Sequence, residues 1–129
     1  VPAGTAIVLG DTMGEMLAYY AAADVAFIGG SLLPLGGQNL IEACAVGTPV
    51  AIGPHTFNFA QATRDAVGAG ACIQVDDAAS AVRVIDTWLS DADARETASR
   101  VAPSRLARSA WVGSPLIVAL LPLTPAARA

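Results

Sequence analysis

Between residues 29 and 58 the sequence gathers the residue types that bind anions and diols. Gly29-Gly30-Ser31 and Gly36-Gly37-Gln38-Asn39 bracket a short loop, and Glu42 is the one charge in the apolar run that follows, Leu40 to Val46. Paired glycines permit positive φ and let a backbone come close to a ligand. A helix opening directly behind them offers N–H groups and a positive dipole end, an arrangement suited to a phosphate. Gly53-Pro54-His55-Thr56-Phe57-Asn58 makes a second loop of the same kind. Neither glycine pair matches G-x-G-x-x-G or the P-loop pattern, which removes support from the common dinucleotide and ATP readings. Tight turns alone also use such glycines, but two pairs so close together favour ligand binding.

Asn39 and Glu42 admit two accounts of equal standing. N-x-x-E is the spacing of a capping box, with Asn39 at the N-cap and Glu42 reaching back. Against that, Leu40, Ile41, Ala43, Cys44, Ala45 and Val46 imply a helix buried nearly all round. An ionised carboxylate there needs partners, and the two hydroxyls of a ribose would supply them. Glu15 faces the same contest with Thr12, and there the cap is favoured because the helix it opens is amphipathic. His55, the single histidine, has no Ser/Asp or Cys partner pattern; a structural place is the commoner role for such a residue, a ligand contact the rarer one. No His/Cys/Asp cluster has metal spacing, so no metal is expected. Tyr19, Tyr20, Phe57 and Phe59 read as core and staple residues, with Asn58 capping the helix behind Phe57.

The elements that must position these residues follow from periodicity. Ala6–Leu9, Val25–Ile28, Val50–Ile52 and Ala71–Val75 are short apolar runs with the length of buried strands. Between them, helices are expected over about 12–22, 39–46, 58–67 and 78–90, stopped by Gly47 and Gly68 where those apply. The order β-α-β-α-β-α-β-α with short connections implies an α/β, Rossmann-like three-layer domain with a parallel sheet. In such sheets ligands bind beyond the carboxyl ends of the strands, which places loops 10–15, 29–39 and 53–58 at the site.

The chain has 129 residues, enough for one domain with a real core, and a net charge of −4. Residues 1–96 hold all eleven acids against three arginines, net −8, while residues 97–129 hold four arginines and no acid, net +4. An acidic main body argues against nucleic acid as a partner. Cys44 and Cys72 sit in apolar patterns and read as reduced, buried hydrophobes. No apolar run reaches the length of a membrane span, so the stretch is expected to be soluble. A start at Val1 leads to the expectation of a piece of a longer protein. Residues 92–108 read as a polar helix interrupted at Pro103, and Val112–Leu123 as an apolar stretch broken by Gly113, Pro115 and Pro122. The change in composition after about Ala98 divides the chain into a domain over 1–98 and an atypical Arg/Pro/Ala-rich tail over 99–129, non-native or disordered.

Asp11-Thr12-Met13-Gly14-Glu15-Met16, Tyr20 to Asn39 and Gly53 to Phe59 together resemble the bacterial 3-deoxy-D-manno-octulosonic acid (Kdo) transferases over about residues 6–90. The resemblance implies the C-terminal, donor-binding half of a GT-B glycosyltransferase. It further implies CMP-Kdo as donor, a lipid A precursor as acceptor in lipopolysaccharide assembly, and a place at the cytoplasmic face of the inner membrane. No metal or cofactor is implied, and the catalytic base would lie in an N-terminal domain outside this chain. Carried over to this sequence, Met13, Gly14 and Glu15 would line the phosphate side. Gly30, Ser31, Gly37, Gln38 and Asn39 would hold the CMP phosphate, Glu42 would take the ribose, and His55 is a further candidate contact. Gln38 and Leu40 stand where the family often has histidine and proline; the glutamine amide can still donate but removes a cation from the phosphate. Residues after Ala98 do not resemble the family's C-terminal helix. Alone, the chain is expected to bind CMP weakly and to transfer no sugar, and its open cleft face invites self-association. The rival expectation is a non-catalytic Rossmann-like binding or scaffold domain.

Overall fold

The computed structural model describes residues 14–101 and 118–120. Strands β1 (Val25–Ile28), β2 (Val50–Ile52) and β3 (Cys72–Gln74) form the parallel core of the sheet. The register pairs Ala26 with Val50 and Ile28 with Ile52, then Val50 with Cys72. Helices α1 (Met16–Ala22), α2 (Ile41–Ala45), α3 (Ala60–Ala69), α4 (Ala78–Ser90) and α5 (Ala92–Val101) surround it. A fourth strand, β4 (Val118–Leu120), pairs antiparallel with β1 and gives the order β3-β2-β1-β4.

The two-residue period of the strands divides the core into the two interfaces of a three-layer domain. Ala26, Ile28, Val50, Ile52 and Cys72 pack with Tyr20 of α1, Ala43 and Cys44 of α2 and Ala66 of α3. Val25 and Ala51 face the other way, onto Trp88 of α4 and Ala98 of α5, with Phe27, Ile85 and Leu89 completing that layer. All three residues of β2 are buried, as the central strand of a sheet covered on both sides requires.

Three expectations shift. The helix expected from Asn58 begins only at Ala60, after a 3-10 turn at Phe57–Phe59, because Asn58 does not cap it: its Nδ2 donates to the carbonyls of Leu35 and Gly37 instead. That helix runs through Gly68 and stops at Gly70, whose φ of +82° closes the left-handed cap. The sheet is not purely parallel, since β4 adds an antiparallel edge from a stretch whose prolines hid it. The strand expected at 6–9 and the residues Thr12 and Met13 lie outside the described residues.

Candidate nucleotide site at the carboxyl ends of the strands

Beyond Ile28 the chain makes a closed loop. The amide of Gly37 donates to the carbonyl of Gly30 at 3.0 Å and that of Gln38 to Gly29 at 3.1 Å, so the two glycine pairs zip the neck of a loop over 31–36. Gly30, Gly36 and Gly37 all adopt positive φ, which explains why glycine occupies them. A side chain at Gly36 would also run into Asn58 and Phe57. Two amides expected to face an anion are thus taken up in building the loop.

Ser31 is wholly buried. Its Oγ donates to the carbonyl of Ile28 at 2.6 Å and accepts from the amide of Gly53 at 2.8 Å. The carbonyl of Ser31 in turn receives the amide of His55 at 2.9 Å, while Asn58 N donates to Gly36 at 3.0 Å. The loops after β1 and β2 are therefore one braced unit. Ser31 supplies the brace rather than a free hydroxyl, and His55 enters through its backbone with a half-buried side chain. The Gln38 side chain is also half-buried.

Asn39 lies just before α2 and Glu42 in its first turn. Asn39 Oδ1 accepts from the amide of Ile41 at 2.9 Å, an Asx turn leading into α2, whose N-cap is Leu40 and has no side-chain cap bond. The reciprocal half of a capping box is missing: Glu42 Oε2 is buried and has no hydrogen-bond partner among the described residues. Asn39 Nδ2 is in the same condition. Asn39 is 1% exposed and Glu42 8%. Burial raises the carboxyl pKa of Glu42 above its ordinary range. Asn39 Nδ2 and Glu42 Oε2 are thus a donor and an acceptor, both buried without partners among the described residues, where the chain passes from the loop after β1 into α2.

Gly14 and Glu15 lie in the turn before α1. Gly14 has φ of +86° with open space around it, so its backbone angle is what calls for glycine. Glu15 accepts from the hydroxyl of Tyr19 at 3.1 Å. The end of α1 lies with Pro49, at the start of β2, around a shallow depression of about 360 Å³ that also includes Asp24, Arg95 and Glu96. That hollow is at the amino ends of the strands, opposite Asn39 and Glu42. Among the described residues no three His, Cys, Asp or Glu side chains gather as a metal site, and no helix is long and apolar enough to cross a membrane.

Residues 3–105 match the family described as glycosyl transferases group 1. The chain belongs to that family. It is 56% identical over 108 residues to a 3-deoxy-D-manno-octulosonic acid transferase of Bordetella pertussis, covering 84% of this chain and 24% of that protein. A transferase of the same name from Haemophilus influenzae is 40% identical over 93 residues, covering 71% of this chain and 22% of its own length. Among solved structures, the C-terminal CMP-Kdo binding domain of WaaA from Acinetobacter baumannii superposes with a TM-score of 0.65 at 33% identity. That match covers 78% of this chain and 52% of the solved one. The chain thus spans about a quarter of the length of the curated relatives it matches.

One residue of this glycosyl transferase domain has a role its sequence context did not reveal. Asn58 clamps the neighbouring loop, a tertiary role indistinguishable in sequence from a helix cap. Tyr20 is in the core as its position predicts, with its hydroxyl buried and without a partner among the described residues.

Proposed function

We propose that this chain is the CMP-Kdo-binding half of a two-domain Kdo transferase of GT-B architecture. The observation that carries the reading is the Asn39–Glu42 pair. A buried carboxylate lacking partners is costly, and a ribose diol would give it two O–H donors. Asn39 Nδ2 would donate to the same nucleotide. The braced loops holding Gly30, Ser31, Gly37 and Gln38 would shape the phosphate side together with the Gly14–Glu15 turn, and the side chains of Gln38 and His55 would reach it. The likeness to the Acinetobacter CMP-Kdo binding domain supports this choice of nucleotide.

In the full enzyme, a base on the other half would take the proton of an acceptor hydroxyl on a lipid A precursor. The freed oxygen would form a bond to the anomeric carbon of Kdo as the bond to the CMP phosphate breaks. The electron pair would leave with CMP, and the configuration would invert. This half would hold the departing CMP with preorganised dipoles, without a metal. The full protein would work at the cytoplasmic face of the inner membrane, peripheral or anchored through its N-terminal part. By itself this chain would bind CMP weakly and transfer nothing.

Titration of the chain with CMP, UMP and AMP, followed by amide shifts, tests the reading. CMP is expected to move signals in 29–39 and 53–58 at lower concentration than the other two. Equal responses to all three, or none in those loops, would refute it. A non-catalytic scaffold domain is favoured by one observation, the internal use of the Gly37 and Gln38 amides.

A further inference from the structure

Helices α1, α2 and α3 lie on one face of the sheet, since Tyr20, Ala43, Cys44 and Ala66 share a core with Ala26, Ile28, Val50 and Ile52. Along that face the chain advances in one direction, from β1 through α2 to β2 and from β2 through α3 to β3, each pair of strands parallel. A strand–helix–strand crossover in a parallel sheet is right-handed almost without exception. A helix on the same face as α2 and α3 therefore carries the chain in the same direction. Helix α1 is on that face and leads into β1. A parallel strand preceding α1 thus belongs on the side of β1 away from β2.

That seat is taken by β4. Its three residues run antiparallel to β1, with Leu120 opposite Val25, Ala119 opposite Ala26 and Val118 opposite Phe27. The residues before α1 with the composition of a strand are Ala6-Ile7-Val8-Leu9. Four consecutive apolar residues suit a strand covered on both faces. Both faces of β1 are covered, by the layer of Tyr20 on one side and by that of Trp88 and Ala98 on the other. The family match over residues 3–105 includes 6–9 and leaves out 118–120. One sheet edge therefore has two claimants from the same chain.

We propose that this edge of β1 is the docking seat of residues 6–9, paired parallel, and that β4 is an intramolecular plug competing for it. The exchange trades one set of backbone hydrogen bonds for another, so the better-pairing segment prevails. The two occupants differ in what they do for the nucleotide site. Residues 6–9 parallel to β1 would end beside Ile28 and deliver the chain to the Gly14–Glu15 turn at the carboxyl ends of the strands. The plug excludes that strand. The link to nucleotide affinity rests on the function proposed above, whereas the exchange itself does not.

Ala119→Pro in the 129-residue chain tests this, because proline inside a strand removes a ladder donor. Cross-strand backbone NOEs from Val25, Ala26 and Phe27 identify the occupant of the edge, and CMP titration reads the site. In the wild type, a minor set of NOEs to residues 6–9 is expected beside the major set to 118–120. In Ala119→Pro the set to 6–9 is expected to become the only one, with CMP bound roughly three- to tenfold more tightly. Absence of NOEs to residues 6–9 in both proteins would overturn the proposal. NOEs from residues 6–9 to the outer edge of β4 would also overturn it, by making the two segments neighbours instead of rivals. If Ala119→Pro fails to fold, the wild-type NOEs decide alone, and contacts to 118–120 without any to 6–9 would make β4 the native edge. A switch of NOEs with CMP affinity unchanged, or with CMP bound by neither protein, would uphold the exchange and refute its link to the nucleotide site.

Discussion

The hydroxyl of Ser31 accepts the amide of Gly53 across 2.8 Å, joining the loop after β1 to the end of β2. This bond, with the Ser31 Oγ donation to Ile28, makes the rim of the site a single body rather than two mobile loops.

Gly53 and Ser31 are expected to be critical to the fold. A Cβ at Gly53 would sit inside van der Waals contact with the backbone of Ser31 and Leu32. Gly53→Ala should therefore cost about 2–3 kcal/mol by overpacking. Ser31→Ala strands the Gly53 amide in a buried place and should cost about 1–3 kcal/mol. Thermal melting checks both. Wild-type stability in either variant would show that the brace contributes nothing.

Glu42 is expected to oppose folding at neutral pH when no ligand is present. Its folded pKa is raised above the ordinary 4.5 by burial. The native state therefore holds the proton more tightly than the unfolded chain. The associated stability is fully present below about 4.5 and is lost as pH rises through the raised value. Glu42→Gln should be more stable than wild type at neutral pH, with the gap closing on acidification. Urea denaturation at several pH values measures it, and a gap independent of pH would contradict the assignment.

Asp77 behaves in the opposite sense. Its Oδ1 caps α4 by accepting from the amide of Ser80 at 2.7 Å. That bond, then the Ser80 side chain and Arg83, hold its carboxyl below the ordinary 3.8. The cap contributes stability above 3.8 that disappears as pH falls through the depressed value. Asp77→Ala should lower the melting temperature near pH 7 and change it little in strong acid. An equal loss at both pH values would point to a cause other than the cap.

Much of this fold is legible in the sequence because its strands are short apolar runs punctuated by glycine. Val25–Ile28, Val50–Ile52 and the helix at 78–90 fall where the pattern puts them. The failures occur where a tertiary partner overrides a local rule. Asn58 caps nothing because Gly36 lets it reach the neighbouring loop. β4 escaped notice because three residues between prolines carry no usable period. At the site, Asn39 and Glu42 were ambiguous between cap and ligand contact. In the structure Asn39 makes an Asx turn through Ile41, the N-cap falls on Leu40, and Glu42 Oε2 has no partner among the described residues. The resemblance puts Ser31 and Gly37 at a phosphate, yet the Ser31 hydroxyl and the Gly37 amide have partners distant in sequence or across a closed loop, which no spacing rule reports.

The central claim is that the buried Glu42 carboxylate holds the ribose of a cytidine monophosphate. Calorimetric titration of CMP into wild type and Glu42→Ala, with melting curves on both, tests it most directly. The account predicts CMP affinity reduced roughly ten- to a hundredfold in the variant, about 1.4–2.8 kcal/mol, with no loss of thermal stability. Equal CMP affinity in the two proteins would contradict it.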